Sequence, residues 1–375
     1  MAVGLYIHFP FCVSKCIYCN FNSYANKNDM QIKYFSSLIK EISMYGDKGL
    51  EIDTIYLGGG TPSIMFDGCV STILSEVRKH FNVLDNAEIT IEANPNSITN
   101  SKLSEWKESG VNRLSIGLQS SNEKILKLIG RPHTRLDYVN VVDMAHSIGF
   151  NNINTDMLIG LPRQKLSDVR RTLDLIIKCN CTHVSVYSLI LEEDTPIYDM
   201  VKSGQLSLPK EEKTLGMYNF AYKYLKEKGF ERYEVSNFAQ PNCECLHNMH
   251  TWQMHEYIGL GAGANGYYNG IRYGNVESIE DYIGAITKNK KPIEFTESIS
   301  GKEQFEETIM LGLRMKSGVN ILDIKTKFGV DLRVQKAGVL RNLMEWGFIN
   351  IDGDNLYATE LGFTVLNKII LELVS

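Results

Sequence analysis

Three cysteines, Cys12, Cys16 and Cys19, fall within eight residues near the start of the chain, spaced x3 and then x2. They follow a short apolar run, Gly4-Leu5-Tyr6-Ile7-His8-Phe9. A strand running into such a loop presents three thiolates on one concave surface, and thiolates favour zinc or iron–sulfur centres over hard cations. A closed zinc site or a closed cluster wants a fourth protein ligand nearby. Position 21 is Phe21, and the next cysteine is Cys69. Three ligands leave one iron of a 4Fe-4S cube open, with an ordinary zinc loop as the competing account. An open iron can chelate the amino and carboxylate groups of S-adenosylmethionine and reduce its sulfonium. That chemistry resides in the cofactor, and the protein supplies binding, orientation and electrostatics.

Other residues suit the same centre. Gly58-Gly59-Gly60-Thr61-Pro62 lets the backbone approach a ligand closely, offering amides and carbonyls to a methionyl ammonium. Tyr18, inside the cysteine loop, can stack on an adenine or shield a cluster from water, and Tyr6 can contact a ligand there or be a half-buried strand tyrosine. Glu92 closes an apolar run and can accept from a ribose or an amine. Gln119, Arg131 and Asp156 read as a loop amide, a helix-end cation and a strand acid. Asp156, within Ile153-Asn154-Thr155-Asp156-Met157-Leu158, is a carboxylate that must be paired or neutralised if buried. A second unusual stretch runs from Cys243 to Trp252, Cys-Glu-Cys-Leu-His-Asn-Met-His-Thr-Trp. In a loop facing a barrel, His247 beside an aromatic wall suits an axial haem ligand. Metal chelation by Cys243, Cys245 and His247, or a purely structural loop, are the other accounts.

The elements that must position these residues alternate. Strand candidates are 3–9, 54–57, 88–92, 113–117, 153–159 and 183–189, and helix-period segments cover 31–44, 70–80, 101–109, 136–147, 167–178 and 210–228. Such alternation predicts βα units and a parallel sheet. Polar or glycine residues at the C-terminal ends of nearly every strand favour a partial barrel over a doubly wound sheet with one switch point. The expected fold is α/β: a partial (β/α)6 TIM-like barrel over 1–232, a barrel-closing and linker segment of loops and short strands over 233–300, and a smaller winged-helix-like α+β domain over 301–375. That last domain carries nine Lys or Arg against ten Asp or Glu, which favours a lid or partner surface over a DNA reader.

The 375 residues, 43% hydrophobic and 22% charged, have an ordinary globular composition. A net charge of −5 points away from nucleic acid as a main partner. Neither a transmembrane run nor a signal peptide is expected. Eight cysteines are too few for a disulfide scaffold, so a reducing cytoplasm is expected.

The cysteine spacing resembles the signature of the radical-SAM superfamily. Through essentially its whole length the chain resembles the radical-SAM proteins related to oxygen-independent coproporphyrinogen III dehydrogenase, and more closely the HemW-type haem chaperones within that group. The resemblance implies that Cys12, Cys16 and Cys19 hold the 4Fe-4S cluster. It also implies that Tyr6, Tyr18, Gly59, Gly60, Thr61, Glu92, Gln119, Arg131 and Asp156 contact S-adenosylmethionine. The dehydrogenase has a further cysteine two residues past the triplet and a long N-terminal extension; this chain has Phe21 and eleven residues before Cys12. His247-Asn248-Met249-His250-Thr251-Trp252 resembles the chaperones' His-Asn-x-x-Tyr-Trp haem motif, departing at Thr251. Ala262 and Asn265 also depart, where relatives have proline and histidine. Haem bound through His247 and delivered to apo-haemoproteins such as respiratory enzymes is what the resemblance implies. Further expectations are peripheral membrane association through membrane-bound clients and a homodimer. Coproporphyrinogen III dehydrogenase activity is the alternative.

Overall fold

A computed structural model describes residues 2–375. Six parallel strands, β1 (Val3–Phe9), β2 (Glu51–Gly59), β3 (Asn82–Ala93), β4 (Arg113–Gln119), β5 (Asn152–Ile159) and β6 (His183–Ser188), pair in chain order. Helices Gln31–Tyr45, Cys69–His80, Asn100–Glu108, Arg135–Ile148 and Leu166–Lys178 link them, and Glu211–Glu227 follows β6. The strands alternate with period two. Leu5, Ile7, Ile55, Leu57, Ile89, Ile91, Leu114, Ile116, Ile153, Met157, Val184 and Val186 pack with Leu38, Ile73, Leu103, Val142 and Leu173 of the helices in the main core. The other face carries Tyr56, Glu92, Arg113, Ser115, Asn154, Asp156, Ser185 and Tyr187, all lining one cavity. A sheet whose one face surrounds a cavity from β2 to β6 is curled, the start of a barrel.

Within residues 233–300, expected to be loops and short strands on the barrel's open side, short strands lengthen the sheet at both edges. After β7 (Glu231–Arg232), β8 (Asn237–Ala239) pairs antiparallel with both β6 and β7. On the opposite edge β9 (Tyr257–Leu260) runs parallel to β1, and β10 (Asn265–Tyr268), β11 (Ile271–Asn275) and β12 (Ile293–Ser298) continue outward antiparallel. The result is one open sheet of twelve strands. Between β8 and β9, where a loop is expected, lies a helix, Leu246–Trp252. Glu88 of β3 accepts from the backbone N–H groups of Leu246 (3.0 Å) and His247 (3.2 Å), supplying the acceptor that the orphan donors of a helix start require.

The buried carboxyl of Glu41 on the first helix ties the added strands to the barrel. It accepts from Gly261 N–H (2.7 Å), Tyr282 O–H (2.6 Å) and Asn275 Nδ2–H (3.0 Å). The C-terminal domain has its own core, including Ile309, Ile324, Leu340, Leu343, Leu356 and Ile369. Helices Gly301–Gly312, Ile321–Phe328 and Ala337–Glu345 precede a hairpin, β14 (Ile349–Asp352) with β15 (Asn355–Ala358), joined by β13 (Val319–Asn320), a winged-helix-like arrangement. Lys316 N–H donating to the Tyr233 carbonyl (2.9 Å) and the Arg232 guanidinium lying 3.6 Å over the Phe363 ring join it to the barrel.

Removing the Glu41 acceptor orphans three donors, at about 1 kcal/mol or more each. Glu41→Leu is therefore expected to lose about 3 kcal/mol of stability in urea unfolding, and Glu41→Gln less, because it keeps an acceptor. An unchanged midpoint for Glu41→Leu would remove the carboxyl from its structural role.

Candidate cluster and cofactor site

The cysteine loop leaves β1 at Phe9 and is fastened along its length. Tyr24 N–H donates to the Pro10 carbonyl (2.8 Å) and Cys12 N–H to that of Tyr24 (3.0 Å). Mid-loop, Ile17 N–H donates to the Ile129 carbonyl (3.2 Å) and Ile197 N–H to that of Ile17 (2.9 Å). Gly60 N–H reaches the Phe9 carbonyl and Thr61 N–H that of Phe11, both at 2.9 Å. This crossing requires glycine, because a Cβ on Gly60 would stand 2.6 Å from the Phe11 carbonyl oxygen. Gly59, at φ 112°, would meet the His8 ring at 2.5 Å.

Cys12, Cys16 and Cys19 are free thiols lining the mouth of a cavity of about 380 Å³. Donors already point at the sulfurs. Thr61 O–H donates to Cys12 Sγ (3.4 Å) and Arg131 Nη1–H to Cys16 Sγ (3.6 Å). Burial raises the Cys19 thiol. Among the described residues no three His, Cys, Asp or Glu side chains are grouped as they would be around a single metal ion. Three cysteine sulfurs with donors, at a cavity mouth, are a donor set that fits a cluster with one open iron.

Of the residues expected at this centre, Tyr18, Gly59, Gly60, Thr61, Glu92, Gln119, Arg131 and Asp156 all line the cavity with the cysteines. Tyr6 does not. It pairs across from Tyr56, stacks on it at 6.2 Å and hydrogen-bonds His8 Nδ1 at 2.9 Å. Glu92 accepts from Tyr56 O–H (2.8 Å) and Gly59 N–H (3.0 Å). Loss of water, then the nearby Asp156 charge, pushes its pKa up to about 7. Burial likewise raises Asp156, which accepts from Asn154 Nδ2–H (2.8 Å) and Ser115 O–H (3.4 Å). Gln119 holds φ 64°, the left-handed region that non-glycine residues rarely occupy, at the end of β4 beside the cavity.

His247 lies apart from the cavity and is only 7% exposed. Its Nδ1 hydrogen-bonds Thr54 Oγ1 at 3.0 Å, and its ring stacks 5.2 Å from Tyr56. Burial foremost lowers its pKa to about 3. Its neighbour Asn248 does line the cavity. Arg113, Ser115, Asn154, Ser185 and Tyr187, also in the wall, were not singled out from sequence; polar residues at alternate positions inside otherwise apolar strands are the signal that marks them.

A curled parallel sheet with three cysteines in the loop after its first strand defines a radical-SAM protein. Residues 6–176 match the family described as the Radical SAM superfamily, and 299–365 match the HemN C-terminal domain. The heme chaperone HemW of Bacillus subtilis is 35% identical over 97% of each chain. Radical S-adenosyl methionine domain-containing protein 1, mitochondrial, of Danio rerio is 31% identical over 98% of this chain and 86% of its own. The chain belongs to the HemW family of radical-SAM proteins. Among solved structures, coproporphyrinogen III oxidase (HemN) from Escherichia coli superimposes with a TM-score of 0.88, covering 100% of this chain and 90% of its own at 20% identity, a likeness of fold. No described helix is long and apolar enough to cross a membrane.

The raised Glu92 pKa fixes the sign of a pH effect. The unfolded carboxyl ionises near 4.5 and the folded one near 7, so the folded chain holds the proton more tightly. Stability from this group is full below pH 4.5 and falls as pH rises through 7, by up to about 3 kcal/mol. Glu92→Gln is expected to gain on the wild type in urea midpoint between pH 5 and pH 8. Parallel profiles for the two proteins would show that the carboxyl is not held protonated.

Proposed function

We propose that the protein is a haem chaperone that carries a 4Fe-4S cluster on Cys12, Cys16 and Cys19, binds S-adenosylmethionine beside it, and delivers haem to apo-haemoproteins. Supporting this are the near-full-length match to a relative named heme chaperone HemW and a donor set suited to a cluster with an open iron. The observation that carries it is the position of the haem-motif helix. Leu246–Trp252 is built into the wall of the same cavity, with Asn248 in its lining. When bound, the cluster supplies one-electron reducing power to the sulfonium of S-adenosylmethionine. The chain's own residues then bind and orient. Thr61 and Arg131 hold two sulfurs, Glu92 with Tyr56 and Gly59 offers a carboxyl at a defined place, and Tyr18, Gly60, Gln119 and Asp156 complete the cofactor's surroundings. Tyr6 acts through Tyr56.

His247 is the proposed haem ligand. Its low pKa keeps the imidazole neutral at pH 7, the form that binds iron. Thr54 engages Nδ1 and leaves Nε2 for iron, so ligation requires the buried ring to be uncovered rather than freed from Thr54. The proposed division of labour is 1–232 for cofactors, 233–300 for haem and 301–375 for partners, in a cytoplasmic setting.

The test is an anaerobic haem titration of cluster-reconstituted protein, followed by Soret absorbance, beside His247→Ala and a Cys12→Ala variant. Stoichiometric binding that His247→Ala loses or weakens at least tenfold is expected, with the cluster's visible absorbance absent from Cys12→Ala. Equal binding by His247→Ala would move the ligand elsewhere. Absence of specific binding by the wild type would overturn the chaperone reading and send the search to coproporphyrinogen III turnover.

A further inference from the structure

Arg113, the first residue of β4, is 1% exposed and lies in the wall of the cavity that the cysteine loop opens on. Removing a guanidinium from water costs several kcal/mol unless a partner offsets it. Arg113 has none at bonding distance. It enters no ion pair among the described residues. Its Nε is buried and unpaired.

The acids nearby are committed elsewhere. Glu88 accepts from Leu246, His247 and the Cys245 thiol. Glu92 accepts from Tyr56 and Gly59, and Asp156 from Asn154 and Ser115. Burial works against the charge, and the field of Cys245, Glu88, Tyr233 and Tyr56 outweighs it, so the guanidinium stays charged while its Nε–H is left without an acceptor. A guanidinium presents five donors in a planar fork that matches a carboxylate two bonds at a time. The neighbouring positions in the lining, Ser115, Asn154 and Ser185, are small and neutral.

Depth separates this place from the cysteines. Gly117, whose carbonyl accepts from Arg131 at the cysteine loop, stands four residues further along the same strand. At ~3.3 Å per residue Arg113 lies ~13 Å below that level.

We propose that Arg113 is the floor of the cavity and a carboxylate-binding site, taking a carboxylate of a molecule that enters from the cysteine side. The carboxylate is a propionate arm of haem, an assignment that rests on the chaperone reading. The methionyl carboxylate of S-adenosylmethionine belongs to the open iron at the cysteine level, ~13 Å away, and serves as the control.

Full-length, cluster-reconstituted wild type and Arg113→Met are titrated anaerobically with haem, haem dimethyl ester, S-adenosylmethionine and its decarboxylated form. The wild type is expected to prefer haem to its dimethyl ester at least tenfold and Arg113→Met to lose that preference, while the preference for S-adenosylmethionine over its decarboxylated form stays alike in both proteins. An unaltered haem preference in Arg113→Met, or none in the wild type, overturns the site. Haem bound alike by both proteins, with S-adenosylmethionine preference unchanged, overturns Arg113 and leaves the chaperone reading standing. No haem binding by the wild type, with S-adenosylmethionine still bound, overturns the chaperone reading and this site with it. If Arg113→Met does not fold, Arg113→Lys, which keeps the charge without the fork, is expected to cut the preference at least fivefold, and an undiminished preference there overturns the site.

Discussion

A single half-buried guanidinium holds the cysteine loop against the strand ends. Arg131 donates through Nη1 to Cys16 Sγ and through Nη2 to the Gly117 carbonyl and the Asn94 side chain. Asn94 in turn donates to Thr61 Oγ1, whose hydroxyl donates to Cys12 Sγ. One cation thus links two of the three cysteines with the ends of β3 and β4. Gly117 has to be glycine for this, since a Cβ there would come within 2.6 Å of Arg131 Nη2. Lysine could keep the charge but not the forked contacts. The loop's shape is thereby tied to the ends of β3 and β4.

The second constraint is the polarity of the barrel's inner face. Parallel strands covered on both faces normally read as unbroken apolar runs. Here the helix-facing positions are apolar, and the inward positions include Glu88, Glu92, Arg113, Asn154, Asp156 and His183. Enclosing such groups is costly unless they bond one another. Most do: His183 Nδ1 hydrogen-bonds Asn154 Oδ1 and its Nε2 the Tyr233 hydroxyl, and Asn154 Nδ2–H donates to Ser115. Two groups left unpaired, Arg113 Nε and Thr90 Oγ1, lie on inward strand positions. Stability is spent there on an interior suited to a polar ligand.

Much of this was legible in the sequence. β1 is a continuous apolar run ended by Pro10, so both its limits, Val3 and Phe9, are visible. β3 extends back to Asn82 because Asn82 and Val83 pair with Glu51 and Ile52 of β2, while Asp85 and Asn86, residues of low strand propensity, fall in the register shift before Glu88 pairs with Thr54. The site residues that announce themselves stand at strand ends or in motifs: the three cysteines, the glycine run, Glu92 and Gln119. Arg113, Asn154 and Ser185 stand within strands, where a polar residue reads as a solvent-facing position until curvature turns that face into an enclosed wall. The helix at Leu246–Trp252 was hidden for a different reason. Its seven residues include Asn, Thr, Trp and two His, poor formers all, and its stability comes from Glu88, almost 160 positions earlier in the chain.

That helix also decides how separate the cavity and the haem motif can be. Tyr56 donates to Glu92 in the cavity wall and stacks on the His247 ring with its face. Glu88 holds the helix start, and Asn248, one residue on, enters the cavity lining. At the other end Trp252 lines a groove of about 260 Å³ with Ile324 and Phe328 of the C-terminal domain. Packed interiors do not deform continuously. Uncovering the His247 ring therefore disturbs Tyr56, on which it stacks, and through it the carboxyl of Glu92, while shifting the indole that faces the C-terminal domain. The motif is a strut with one end in the cofactor cavity and the other against the second domain, so exposing its histidine and occupying the cavity are linked events.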